Sequence, residues 1–283
     1  MIQGSCLCGD VAWEVRPPLS LASHCHCSIC RKMHGTPFAT YGAAPTEAFR
    51  WLRGHDGVRR YESSPGFFRH FCGRCGSKVP ADASGGLVFL PLGGLDGDPG
   101  VRPLAHIYVG SKAAWHEITD ALPRFDRLPP GMPEPGLPPP ARPGAGPGRI
   151  AGSCQCGAIG YEVDAPLPML RNCHCSRCRR ARGAAHATNA VTAIDRFRWT
   201  RGEERLRSYK VPEARFFAQV FCGECGSPMP RLDPSRGIAV IPSGSFDDDP
   251  GLRVMEHIFV GSKAVWFEIT DTLPRHQEMA PTR

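Results

Sequence analysis

No stretch of the chain approaches 18 consecutive apolar residues, so the sequence offers no candidate membrane-spanning helix. Its opening residues, MIQGSCLCGDVAWEV, lack a basic segment followed by an apolar one. They are therefore not expected to act as a secretory signal, and a soluble, cytoplasmic protein is the expectation. No P-loop, no nucleophile elbow and no dinucleotide glycine fingerprint is present. Long helix-period patterns are also scarce. Charge of one sign does not dominate either: 34 Lys and Arg stand against 27 Asp and Glu, for a formal net charge of +7. If four divalent ions sit on fourteen thiolates, six negative charges are added and about +1 remains. The excess is spread equally over the two halves of the chain, so nothing in it calls for nucleic acid.

What the chain does have is cysteine, fourteen in all, in two matching sets of seven. The first set is Cys6 and Cys8, then Cys25, Cys27 and Cys30, then Cys72 and Cys75. The second is Cys154 and Cys156, then Cys173, Cys175 and Cys178, then Cys222 and Cys225. Seven thiols cannot all pair as disulfides, and a reduced intracellular protein favours metal ligation at such spacings. Each set divides into one closed four-thiolate zinc site and one three-thiolate site with an exchangeable position. Closed tetrahedral zinc is structural, whereas three protein ligands plus a replaceable one is the usual catalytic arrangement.

The repeat extends well beyond the cysteines. GSCLCGDVAWEV at Gly4 returns as GSCQCGAIGYEV at Gly152, and HCHCSICRK at His24 returns as NCHCSRCRR at Asn172. FCGRCGSKVP at Phe71 returns as FCGECGSPMP at Phe221, and HIYVGSKAAWHEITDALPR at His106 returns as HIFVGSKAVWFEITDTLPR at His257. The two copies should therefore share one fold. Between them, residues 126–149 hold nine prolines and five glycines, a composition suited to an extended connector. Domains are expected over 1–125 and 150–283. VAWEV, FATYG, VFLPL and HIYVG, with their counterparts IGYEV, HATNAV, AVIPSG and HIFVG, are expected strands bounded by turn residues. Short helical turns are expected after Cys30 and Cys178, and SKAAWHEI suits either state. The class is mainly β, with zinc clasps supplementing a modest core.

The C-x-x-C-G pairs have the form of zinc knuckles, with glycine where the chain must take positive φ. Their natural partner is the C-x-C at the start of each half, so closure ties the first strand to the later sheet and metal binding contributes to folding. The triplets concentrate three ligands in six residues and leave one face of the ion open unless a distant group closes it. His26, His174, His106 and His257 are the side chains placed to do so, although supporting or packing roles suit them better. His34, His55, His70 and His186 have no histidine in the other half and carry no assigned role. Arg31 and Lys32, then Arg179, Arg180 and Arg182, follow the triplets directly. They can hold the carboxylates of an anionic thiol beside the metal, or serve as a solvated turn that offsets the thiolate charge. Trp115, Trp266, Phe38, Phe49, Phe197 and Phe246 are expected in the core or in a pocket wall.

GSCxCGxxxxEV, CHCSxCRR or CRK, FCxxCGS and HIxVGSKAxW together resemble the glutathione-dependent formaldehyde-activating enzyme family, whose domain is shared with centromere protein V. The resemblance covers both halves nearly end to end. It implies two tandem zinc-binding β-tent domains of the Mss4-like kind, where the usual member has one. It also implies that Cys6, Cys8, Cys72 and Cys75 hold structural zinc, as do Cys154, Cys156, Cys222 and Cys225, and that the two triplets hold active-site ions. Up to four zinc ions per chain are expected. The implied activity is that of a carbon–sulfur lyase or synthase acting on a thiol–aldehyde adduct such as S-(hydroxymethyl)glutathione. Glutathione and an aldehyde are the implied partners. The alternative is a non-catalytic zinc scaffold: a glutathione carrier, an aldehyde sensor, or a module for nucleic acid or protein.

Overall fold

The computed structural model describes residues 1–83, 85–132 and 142–281. Each half contains the same three β units. In the first half, β1 (Ile2–Ser5), β2 (Ala12–Val15), β3 (Leu21–Cys25), β4 (Ala39–Pro45) and β5 (Phe49–Arg53) are followed by β6 (Val58–Ser64) and β7 (Phe67–Cys72). After them come β8 (Ala81–Ala83), β9 (Leu87–Pro91) and β10 (His106–Ile107), and the helix α1 (Ser28–His34) lies between β3 and β4. The second half repeats this with β11 (Arg149–Ser153), β12 (Gly160–Asp164), β13 (Met169–Cys173), β14 (Ala187–Ala193) and β15 (Phe197–Arg201). It continues with β16 (Leu206–Lys210), β17 (Ala218–Cys222), β18 (Arg231–Asp233), β19 (Ile238–Pro242) and β20 (Glu256–Ile258), with the helix α2 (Ser176–Arg182) after β13.

β1, β2 and β5 form a three-stranded sheet; β10, β3, β4, β9 and β8 form a five-stranded sheet; β6 and β7 make a hairpin, and the second half matches each. Among the described residues, these strands pair antiparallel except β10 on β3 and β20 on β13. The mainly β, Mss4-like class expected from the sequence is the one observed. Every run expected as a strand contributes one, whereas SKAAWHEI forms the end of a 3-10 turn, a second turn at Ala114 and Trp115, and irregular chain. The helices begin at Ser28 and Ser176, before the last cysteine of each triplet, because Cys27 and Cys175 act as their N-caps. Residues 133–141 of the expected connector lie outside the described residues. Its flanks are anchored: the Tyr108 and Gly110 amides donate to the carbonyls of Arg127 and Asp126, and Asp248 accepts from the Ala145 amide.

Close approach explains the first glycine of the repeat. Trp13 is fully buried over Gly4, where a Cβ would come within 2.5 Å of the indole, and Tyr161 covers Gly152 in the same way. Burial of such rings dominates each core at about 25 cal/mol per Å² of apolar surface. The two cores are not separate, however. Trp266 and Ala264 of the second half complete the core around Trp13 and Leu90. Trp115 and Ala113 of the first half complete the core around Tyr161 and Ile241. The two SKAxW segments are thus exchanged. Phe71 and Phe221 meet across the same boundary, 6.5 Å between ring centres. Each packs on the knuckle glycine of the opposite half, Gly226 and Gly76, both at positive φ. These contacts make one interlocked body of two copies related by an approximate two-fold.

Candidate metal centres

The sulfurs of Cys6, Cys8, Cys72 and Cys75 lie within 4.8 Å of one another, as do those of Cys154, Cys156, Cys222 and Cys225. No disulfide joins them. The Cys8–Cys72 and Cys156–Cys222 separations are 3.7 and 3.8 Å. A tetrahedron with metal–sulfur bonds of about 2.3 Å has edges near ~3.8 Å, so the donor set fits zinc. Backbone amides turn toward the sulfurs: Val11 donates to Cys6 Sγ and Ile159 to Cys154 Sγ, each at 3.3 Å. The knuckle glycines take φ of 72° and 74°, as the spacing requires. Each closed site also lies at the boundary between halves. Tyr61 packs into the core that holds Cys154, Cys222 and Cys225, and Tyr209 into the one that holds Cys6, Cys72 and Cys75.

The two triplets form triads. The sulfurs of Cys25, Cys27 and Cys30 lie within 4.8 Å of one another, and so do those of Cys173, Cys175 and Cys178. Among the described residues no histidine, carboxylate or further cysteine joins either group. Local folding explains the geometry. Cys25 ends β3 opposite Ala39, and Cys173 ends β13 opposite Ala187, small partners that leave room beside the sulfur. Cys27 and Cys175 then accept the amides of Cys30 and Cys178 at 3.4 Å as α1 and α2 begin. Hydrogen bonds from Cys25 and Cys30 hold the Cys27 thiol well below its ordinary value. In the other half, Cys173 and Cys178 push Cys175 down to about 3. The neighbouring sulfurs keep Cys25 and Cys178 well above the ordinary thiol value. Three close sulfurs cannot all carry charge without a cation between them. The donor chemistry therefore calls for a metal here as well.

The histidines flanking the triads do not close them. His106 Nε2 meets both oxygens of Asp120 at 3.0 Å, so it carries the proton and leaves Nδ1 as an acceptor. His26 Nε2 donates to that Nδ1 at 2.8 Å. His174, His257 and Asp271 repeat the arrangement, again with 2.8 Å between rings. Burial, then the neighbouring imidazoles, push His26 down to about 2, and burial with His257 pushes His174 to about 3. These histidines thus stay neutral, wholly buried in supporting positions. His186 also departs from its expected blandness. With His24, His106, His116, His257 and the rings of Phe38 and Phe267 it lines a small cavity shared by both halves.

The basic residues after the triads divide into two classes. Lys32 Nζ pairs with Asp247 at 2.7 Å and donates to the carbonyl and hydroxyl of Ser153 at 2.9 and 3.1 Å. Arg180 pairs with Asp96 and donates to Ser5 Oγ. Both cations are engaged across the boundary between halves. Arg31 and Arg179 remain beside the triads. Burial lowers the Arg31 value against the opposing charge of Cys27, and Arg179 Nε donates to the His174 carbonyl.

The guanidinium that sequence analysis missed is Arg69, on β7. Burial opposes its charge, but Cys30, Tyr41, Cys27 and Cys25 more than offset that and hold it protonated. Its Nε donates to Ser63 Oγ at 3.1 Å. Tyr41, which packs against the first triad and lies close to the Arg69 charge, makes a hydrogen bond with His34 Nε2 at 2.7 Å. His34 Nδ1 in turn donates to the Arg182 carbonyl of the other half at 2.6 Å. With Nδ1 protonated, Nε2 accepts the Tyr41 proton, which leaves the phenol oxygen to face Arg69. Tyr108 and Phe259 add to the triad walls, both at φ 56°, a left-handed conformation that non-glycine residues adopt only when the surroundings impose it. The sequence signal for Arg69 was faint: it breaks the repeat, with Gln219 in the other copy.

The pattern that defines the family described as "Glutathione-dependent formaldehyde-activating enzyme" matches residues 1–111 and again 149–262. A Halomonas elongata protein named "Putative glutathione-dependent formaldehyde-activating enzyme" is 32% identical over 127 residues, which cover 42% of this chain and 80% of that one. A crystal structure of a Rhodobacter sphaeroides protein shares 30% identity over 34% of this chain and 85% of its own, with a TM-score of 0.27. With seven cysteines per copy in the same order and the family pattern matched twice, the chain belongs to the glutathione-dependent formaldehyde-activating enzyme family.

Proposed function

We propose that the protein is a zinc-dependent carbon–sulfur lyase or synthase that forms and cleaves the adduct of a thiol with an aldehyde. Glutathione and formaldehyde, named in the family description, are the proposed pair. The observation that carries this reading is the pair of three-sulfur groups that no other described histidine, carboxylate or cysteine closes. A zinc ion held there would supply an exchangeable position at which a thiol loses its proton at neutral pH.

The chain's own groups then have definite tasks. Cys25, Cys27 and Cys30, with Cys173, Cys175 and Cys178, hold the ion through short loops stiffened by the N-caps of α1 and α2. Arg31 and Arg179 offset the thiolate charge and are placed to meet a carboxylate. The neutral His26–His106–Asp120 and His174–His257–Asp271 chains fix the backs of the triad loops. In the forward reaction a sulfur–carbon bond forms as the aldehyde C=O opens, and the thiol proton ends on the former carbonyl oxygen.

Thiols add to aldehydes without a catalyst, so turnover is judged against the spontaneous rate. Exchange spectroscopy of glutathione with formaldehyde should give a faster exchange with the wild-type protein than without it. Cys27→Ser and Cys175→Ser together should return it to the background. Equal rates for wild type, the double variant and buffer would remove the enzymatic reading and leave a carrier or sensor.

A further inference from the structure

We propose that the two open triads take different ligands, and that Arg69 makes the first of them the site for a thiol bearing an anionic group. This rests on the reading of the triads as thiol sites. The helix-borne arginines cannot distinguish the two triads, because Arg31 and Arg179 occupy equivalent positions of α1 and α2. The second member of each basic run is tied to Asp247 or Asp96. What differs is the wall formed by the hairpin and by β4 or β14.

In the first half that wall carries a half-buried guanidinium, Arg69, held by Ser63, and a phenol, Tyr41, oriented through His34. At the matching positions the second half has Gln219 for Arg69, Asn189 for Tyr41 and Arg182 for His34. Arg182 does bring a cation toward Cys178, but from α2 on the side facing the other half. It is 8% exposed, its Nη2 reaches Asn189 Oδ1 at 3.4 Å, and it packs where a Cβ on Gly35 would lie 2.9 Å from Nη1. The second triad therefore has no guanidinium on its hairpin side: Gln219 stands there in place of Arg69 and is 2% exposed. A ligand entering the first meets a guanidinium whose fork suits a carboxylate.

The test uses the full-length, metal-saturated protein and two probes that share the thiol and differ in carboxylate charge, glutathione and glutathione diethyl ester, titrated calorimetrically with metal content measured in parallel. Wild type should bind glutathione at one strong and one weak site, and the ester only weakly. Arg69→Gln should weaken the strong site about 10–100-fold and leave the ester unchanged. Arg69→Lys should restore part of the preference, and Gln219→Arg should strengthen the weak site. As a check that leaves Arg69 untouched, Cys175→Ser should keep the carboxylate preference and Cys27→Ser should lose it. Equal affinity of wild type for glutathione and ester, or an equal loss of both in Arg69→Gln, overturns the proposal and leaves Arg69 as a counter-charge for the thiolates. A wild type that binds neither probe overturns the thiol-site reading itself, a distinguishable failure.

Discussion

Replacing Lys32 by methionine tests how the halves are joined, because the two related ion pairs at the boundary differ in burial. The Lys32 and Asp247 side chains are 9% and 6% exposed, whereas those of Arg180 and Asp96 are 27% and 43% exposed. Removing Lys32 deprives the buried Asp247 carboxylate of its ion-pair partner and leaves it the hydrogen bond from Ser153 Oγ, 2.6 Å away. Stranding a buried charge costs about 3–5 kcal/mol, while an exposed pair is worth about 0–1 kcal/mol. For a chain of this size each kcal/mol moves the melting temperature by roughly 2–4 °C. Lys32→Met should therefore lower it by roughly 6–20 °C and Arg180→Met by no more than roughly 4 °C. Scanning calorimetry with metal in excess measures both, since metal loss would otherwise blur the transition. Lys32→Met combined with Asp247→Leu should recover most of the loss, because the cost lies in the unpaired charge rather than in the absent attraction. Equal shifts for the two single variants, or no recovery in the double, would refute the argument that burial decides the outcome.

Cys72→Ser and Cys27→Ser should each lower metal content by one ion per chain by elemental analysis. Only Cys72→Ser should also lower the melting temperature strongly, because the closed site ties β1 to β7. Trp266→Ala should cost about 3–5 kcal/mol and leave one unfolding transition rather than two, because that ring belongs to the first half's core; two separated transitions would contradict the exchanged segments. Burial pushes His34 down to about 3, below the value near 6.5 of an unfolded histidine. Its contribution is complete above pH 6.5 and is lost as pH falls toward 3, at about 1.4 kcal/mol per pH unit. His34→Gln should therefore flatten the decline in urea stability between pH 6.5 and 5 by about that slope, and an unchanged slope would count against a neutral, buried His34.

The metal centres were legible because ligation imposes local spacing: three sulfurs within six residues, or two across a glycine turn, reveal themselves without the fold. Strands such as VAWEV were legible for a similar reason, since their short apolar runs end at turn residues. The β6–β7 hairpin escaped notice because RRYESS and FFRHF mix charge and aromatics without a period of two, and it is this hairpin that carries Arg69. The exchange of Trp115 and Trp266 escaped for a deeper reason. A repeat says that two segments need the same surroundings, but not which copy supplies them. The pairing of Lys32 with Asp247 was hidden by the same logic, for a basic residue beside a cysteine of a triplet looks the same whether it faces a ligand or the other half. The informative signal lay where the copies disagree. Both halves keep all seven cysteines, and His34, Tyr41, Arg69 and Tyr108 become Arg182, Asn189, Gln219 and Phe259 around the triads. Agreement between the copies marks what each half requires in order to fold, and disagreement clustered at one site marks where a duplicated chain has let one copy specialise.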